Sequence, residues 1–150
     1  MKLQRFEMLS TSINQLIKSI QFIKSRKMAQ YDLKGTTCLC LCQIFRSEGG
    51  LTAGELSTFG EIDKAQVSRC VTELTERGFI FRDDEEGRRY KQKYRLTEEG
   101  RAAAEDIIAT LTRLQDVATT GIEQEDLEAF YRVLNILCEN FSDLLMQGEI

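Results

Sequence analysis

The chain has 150 residues, 42% of them apolar and 29% charged, with a net charge of −4 and five cysteines. That balance excludes a disordered chain. No apolar run reaches the ~18 residues of a membrane span. The length suits one domain, able to bury roughly 70% of its unfolded surface.

Leu3 to about Lys27 places Phe6, Leu9, Ile13, Leu16, Ile17, Ile20 and Ile23 on a 3–4 spacing, which predicts a long amphipathic helix. Residues 30–35 are polar and turn-like. Thr36–Ser47 is a second predicted helix with Leu39, Leu41, Ile44 and Phe45 apolar, stopped by Gly49-Gly50. Thr52 and Glu55 have the spacing of a capping box, and a short helix follows to about Phe59.

Asp63 is a good N-cap for the next helix. Val67, Val71 and Leu74 turn inward at i, i+4 and i+7, with Cys70 beside them and Gly78 as a left-handed C-terminal cap. The opposite face carries Lys64, Gln66, Ser68, Arg69, Thr72 and Glu73. Residues 79–81 and 90–96 read as two strands of a hairpin, with a tip over 83–89 where Gly87 is free to take positive φ. Thr97 opens a fifth helix. Glu123–Met146 forms the last, with Leu127, Phe130, Leu134, Leu137, Phe141 and Leu144 in one stripe.

Charge is unevenly spread. Residues 1–101 hold 18 basic and 14 acidic side chains, whereas residues 102–150 hold 2 and 10. A phosphate feels the local field, so the overall acidity does not exclude nucleic acid. The N-terminal MKLQRFEMLS has scattered charges and no apolar core, so export is not expected. An odd cysteine count with Cys38, Cys40 and Cys42 crowded together is no disulfide framework, and cytoplasmic localisation fits. With no histidine, no phosphate loop and no nucleophile–base pair, an enzyme is not expected. No metal site or cofactor is expected, because Cys38 and Cys42 share a helix face while Cys40 points elsewhere. The cysteines read first as small buried hydrophobes. Redox sensing by Cys38 and Cys42 is the sharper alternative and needs a nearby cation such as Lys34 or Arg46.

The segment VSRCVTELTERGFIFR at 67–82, together with YRLTEEG at 94–100, resembles the recognition helix and wing of the MarR family of winged helix-turn-helix transcription regulators in bacteria. The resemblance implies a mainly α fold with a small β-hairpin wing. It implies one domain over 1–150: dimerisation helices at 1–33 and 102–150 around a DNA-binding lobe at 36–101. It further implies a homodimer on double-stranded DNA, expected to be a repressor on a pseudo-palindromic operator. Release would be controlled by a small effector or by thiol oxidation. DNA contacts are expected from Thr52, Lys64, Gln66, Ser68, Arg69, Thr72, Arg88 and Arg89. Dimer contacts are expected from Ile13, Leu16, Ile20, Leu127, Phe130, Leu134, Leu137, Phe141 and Leu144. Phe22, Tyr31 and the second helix are candidates to line an effector pocket. The wing departs from the family in its tip, where four carboxylates (Asp83, Asp84, Glu85, Glu86) and Gly87 precede the two arginines. A winged helix used only for protein–protein contact is the rival reading.

Overall fold

A computed structural model describes residues 2–59, 62–83 and 92–148. Six α-helices run in the order α1 (Lys2–Met28), α2 (Thr37–Arg46), α3 (Ala53–Ser57), α4 (Lys64–Glu76), α5 (Glu98–Ala118) and α6 (Gln124–Gln147). Strands β1 (Ile80–Asp83) and β2 (Lys93–Leu96) lie between α4 and α5, and a short 3-10 turn follows α1. The strands pair antiparallel with Ile80 opposite Leu96 and Asp83 opposite Lys93. This is the mainly α winged helix-turn-helix that the sequence predicts.

By its contacts the chain divides into residues 1–109 and residues 110–150. The first unit holds the core: Met28, Leu41, Ile44, Leu56, Leu74 and Ile107 are fully buried within it. Helices α2 and α3 each pack on α4, and α2 also packs on β2 and α4 on β1. The second unit comprises the end of α5 and all of α6, linked by a hydrogen bond from Gln115 Nε2 to Tyr131 Oη at 2.8 Å.

Local chemistry explains the joints. Thr52 and Glu55 form the expected capping box at α3. The Asp63 carboxylate accepts from the Gln66 amide at 2.7 Å and starts α4. Gly78 has φ +76°, the left-handed conformation expected of it. The Thr97 hydroxyl donates to the Gly78 carbonyl at 2.6 Å and accepts from the Gly100 amide at 3.0 Å, so one side chain caps α5 and holds the turn after α4. Gly100 lies flat against that turn: a Cβ there would sit 1.8 Å from the Phe79 carbonyl oxygen.

Several boundaries differ from the sequence reading. β1 runs on through Asp83, where the hairpin tip is expected to begin, and β2 starts at Lys93 rather than including residue 92. Phe79 is not in the strand, because its amide goes back to Leu74 O at 2.9 Å and its carbonyl accepts from Thr97 N at 3.1 Å. α2 ends at Arg46, before the glycine pair, where the Ser47 hydroxyl donates to Ile44 O. Leu51 forms a bridge with Tyr94, giving the wing a third, one-residue edge. The tip residues Asp84–Lys91, including Arg88 and Arg89, lie outside the described residues.

Candidate nucleic-acid interface

Helix α4 buries Val67, Cys70, Val71 and Leu74, the i, i+3, i+4, i+7 stripe of a helix seated on a core. That leaves the opposite face outward. Lys64, Ser68, Arg69 and Thr72 are exposed there, and Gln66 and Glu73 are half-buried. Arg69 and Glu73 have the spacing of a helix ion pair, but Glu73 Oε1 accepts from the Lys34 backbone amide at 3.1 Å. Among the described residues, no carboxylate pairs with Arg69.

The candidates differ in what they offer. Thr72 donates its hydroxyl hydrogen to Ser68 O at 2.8 Å, so its methyl group and lone pairs remain for a ligand. Thr52 is half-buried, and its hydroxyl accepts from Glu55 N at 3.1 Å while lying 3.0 Å from Glu55 Oε2. Lys64 and Arg69 carry charge and donors. An open groove of about 540 Å³ runs along α4, lined by Lys34, Gln66, Arg69, Cys70, Thr72 and Glu73. Lys34 reaches it from the α1–α2 connection, and no local sequence signal marks it for that place.

At the base of the wing, Arg95 Nε pairs with Asp83 Oδ2 at 2.5 Å, and Arg82 lies over the Tyr94 ring at 5.7 Å from its centroid. Asp83, expected from the sequence at the tip but standing at the end of β1, is thus paired with a cation on the opposite strand.

A second concavity, of about 600 Å³, lies between α1, the α1–α2 connection, α2 and the start of α4. Its walls include Gln21, Lys24, Ser25, Lys34, Leu39 and Gln66. The second helix lines it as expected, through Leu39. Tyr31 and Phe22 do not. Tyr31 bonds Asp106 and meets Phe79 edge to face. Phe22 is exposed and sits beneath the Arg26 guanidinium.

The expected dimer residues stand on helices with little burial in the single chain. α6 has no buried residue and α1 buries only Met28. Leu16 is 54% exposed, Ile20 50%, Phe130 50% and Phe141 44%. Leu144 is exposed, and Ile13, Leu127, Leu134 and Leu137 are half-exposed.

Cys38, Cys40, Cys42 and Cys70 are buried free thiols, and Cys138 is exposed. Cys38 and Cys42 hydrogen-bond each other, which together with burial pushes the Cys42 thiol well above its ordinary range, despite the fields of Arg46 and Lys24. That opposes a thiolate at Cys42 itself.

Residues 31–89 match the model of the MarR family. Solved structures share the fold. A MarR transcriptional regulator from Methanosarcina mazei Go1 is 22% identical, covers 92% of this chain and 99% of its own, and superposes with a TM-score of 0.75. A MarR family protein from Listeria monocytogenes, complexed with 26mer DNA, is 20% identical, covers 89% and 88%, and has a TM-score of 0.79. A MarR family regulator from Neisseria meningitidis is 21% identical, covers 96% and 98%, and has a TM-score of 0.78. The comparison with curated proteins gives no match. The resemblance to the MarR family read from the sequence is borne out.

Proposed function

We propose that this chain is a DNA-binding transcription regulator, a repressor, that acts as a homodimer on a pseudo-palindromic operator. The observation carrying this reading is the outward face of α4, where Arg69 stands without an ion-pair partner among the described residues, beside Lys64, Ser68 and Thr72. A helix fits the major groove, where an arginine pairs bidentately with guanine and a glutamine with adenine. Lys64 and Thr52 suit phosphate contacts. Arg88 and Arg89 suit the minor groove.

Residues 1–33 and 102–150 serve dimerisation, and residues 36–101 form the DNA-binding lobe. The exposed apolar stripes of α1 and α6 support a second copy as their partner, since stripes of this kind mark association sites. Twofold symmetry then places two half-sites about 10 bp, or a multiple, apart. The concavity of about 600 Å³ beside α2 and α4 is of the size that binds small molecules, which supports effector control of release.

Selection from a pool of random duplexes tests this reading. Enrichment of a pseudo-palindrome is expected. Recovery of no preferred sequence, together with no retention of DNA at low salt, would favour a winged helix used for protein contact.

A further inference from the structure

Two carboxylates of α4, Glu73 and Glu76, line the groove that runs along its outer face. Each repels a phosphate, so neither favours contact with a polyanion. Glu73 does something else as well: its Oε1 accepts the Lys34 amide at 3.1 Å. The Lys34 carbonyl is held from the other side. It accepts from Thr37 N at 3.0 Å and from the hydroxyl of the buried Thr37 at 2.6 Å. Leu33, just before it, is buried. Asp32 lies 3.8 Å from Arg77 at the end of α4, an exposed pair that adds little. The backbone of Lys34 is thus fixed by α4 at its amide and by α2 at its carbonyl, while the residue as a whole is exposed. Lys34 lines the same groove as Gln66, Arg69 and Thr72. Among the described residues its ammonium pairs with no carboxylate. A cation on a pinned backbone loses less freedom when it meets a ligand.

We propose that Lys34 is a DNA-backbone contact supplied from outside the helix-turn-helix, and that Glu73 is its positioning residue. This rests on the proposed function. An ammonium is a point charge that suits a phosphate, and a phosphate contact fixes register without reading sequence. Sharing its groove with Arg69, Lys34 neutralises a phosphate beside the bases that Arg69 meets. The sign of each substitution then separates positioning from charge. On charge alone, removing either carboxylate from the groove strengthens DNA binding. With Glu73 holding the Lys34 backbone in place, Glu73→Ala weakens binding even though it removes a repulsive charge. Glu73→Gln keeps an oxygen that accepts the Lys34 N–H and loses the charge, so it binds at least as well as wild type. Glu76→Gln removes a carboxylate from the same groove without touching that bond, and it serves as the control for charge.

The test measures binding of the wild-type chain and these variants to the selected operator and to an unrelated duplex across a range of salt. Lys34→Ala is expected to weaken both duplexes by the same factor, about fivefold or more at about 0.1 M salt, and to make the slope of log K against log salt shallower by about 0.9 for each lobe. Glu73→Ala should lose affinity in the same way, and adding Lys34→Ala to it should cost little more. Glu73→Gln and Glu76→Gln should match wild type or exceed it. Unchanged affinity and slope in Lys34→Ala would overturn the contact, and so would a loss confined to the operator. Tighter binding by Glu73→Ala would overturn the positioning role. Lys34→Ala keeps the amide that Glu73 holds, so the variant retains that bond. Should Glu73→Ala fail to fold, hydrogen exchange of the Lys34 amide in wild type decides its part: slow exchange is expected, and exchange at the rate of an open chain would overturn it. A wild type that retains no duplex at low salt brings down the proposed function and this contact together. A wild type that binds while Lys34→Ala is unaffected removes the contact alone.

Discussion

Glu73 Oε1 accepts the backbone N–H of Lys34 at 3.1 Å, and among the described residues it makes no ion pair with Arg69 one turn earlier on α4. The carboxylate at ion-pair spacing from the guanidinium holds the α1–α2 connection against the helix. The cation is left on the outer face.

Arg69→Ala is therefore expected to weaken operator binding by ~1–3 kcal/mol, the cost of losing one specific base contact. Its folding stability and oligomeric state should stay as in wild type, because the side chain is exposed. Fluorescence anisotropy at fixed salt measures it. An affinity equal to wild type would remove Arg69 from the interface.

Gly100 carries a separate expectation. The Phe79 carbonyl occupies the place of a Cβ, at 1.8 Å, and that carbonyl also accepts from Thr97 N. Backbone has to move to admit even a methyl group. Gly100→Ala should cost about 3 kcal/mol or more, although alanine is ordinarily the better helix former. Urea unfolding reads the change, and an alanine variant as stable as wild type would contradict the packing described.

Asp106 joins the end of α1 to α5. Lys27 Nζ lies 2.6 Å from its carboxylate, and Tyr31 donates a hydrogen bond to the same oxygen. These contacts, Lys27 first, hold the Asp106 carboxyl below its ordinary range. A depressed carboxyl contributes stability above its unfolded pKa of about 4 and loses it as pH falls through the folded value. Asp106→Asn should thus be less stable than wild type at neutral pH, and the two curves should converge in acid. At the alkaline end Tyr31 is pushed up to about 12, by burial first and then by Asp106. Its contribution is present below the unfolded value of about 10 and fades as pH rises through the folded one. Denaturant midpoints across the pH range check both limbs, and two parallel curves would contradict this assignment.

The stripe on α6 predicts association. Leu137→Glu places a charge among Phe130, Leu134 and Phe141, where each large apolar side chain that becomes buried is worth ~1.5–3 kcal/mol. Wild type should sediment as a dimer at micromolar concentration, and the variant should shift to monomer with its helix content unchanged. A wild type that sediments as a monomer would remove the stripe as a dimer contact.

Much of the lobe was legible because its signals are local. Asp63, the Thr52–Glu55 box and Gly78 each act within one turn of chain, and the inward stripe of α4 follows from helical period alone. Other features depend on residues far apart in sequence. The Leu51–Tyr94 bridge is a single residue pair with no strand pattern around Leu51. The role of Gly100 depends on where Phe79 O comes to rest. The Cys70 thiol meets the Thr36 carbonyl only because α4 packs on α2. Lys34 reaches the α4 groove for the same reason.

The central claim is that this surface binds the charged backbone and bases of duplex DNA. Its most direct test is a titration of operator affinity against salt. Each phosphate neutralised contributes about −0.9 to the slope of log K against log salt. A homodimer engaging several phosphates per lobe should give a steep negative slope, made shallower by Lys64→Ala in both lobes. Absence of duplex binding even at low salt would contradict the account.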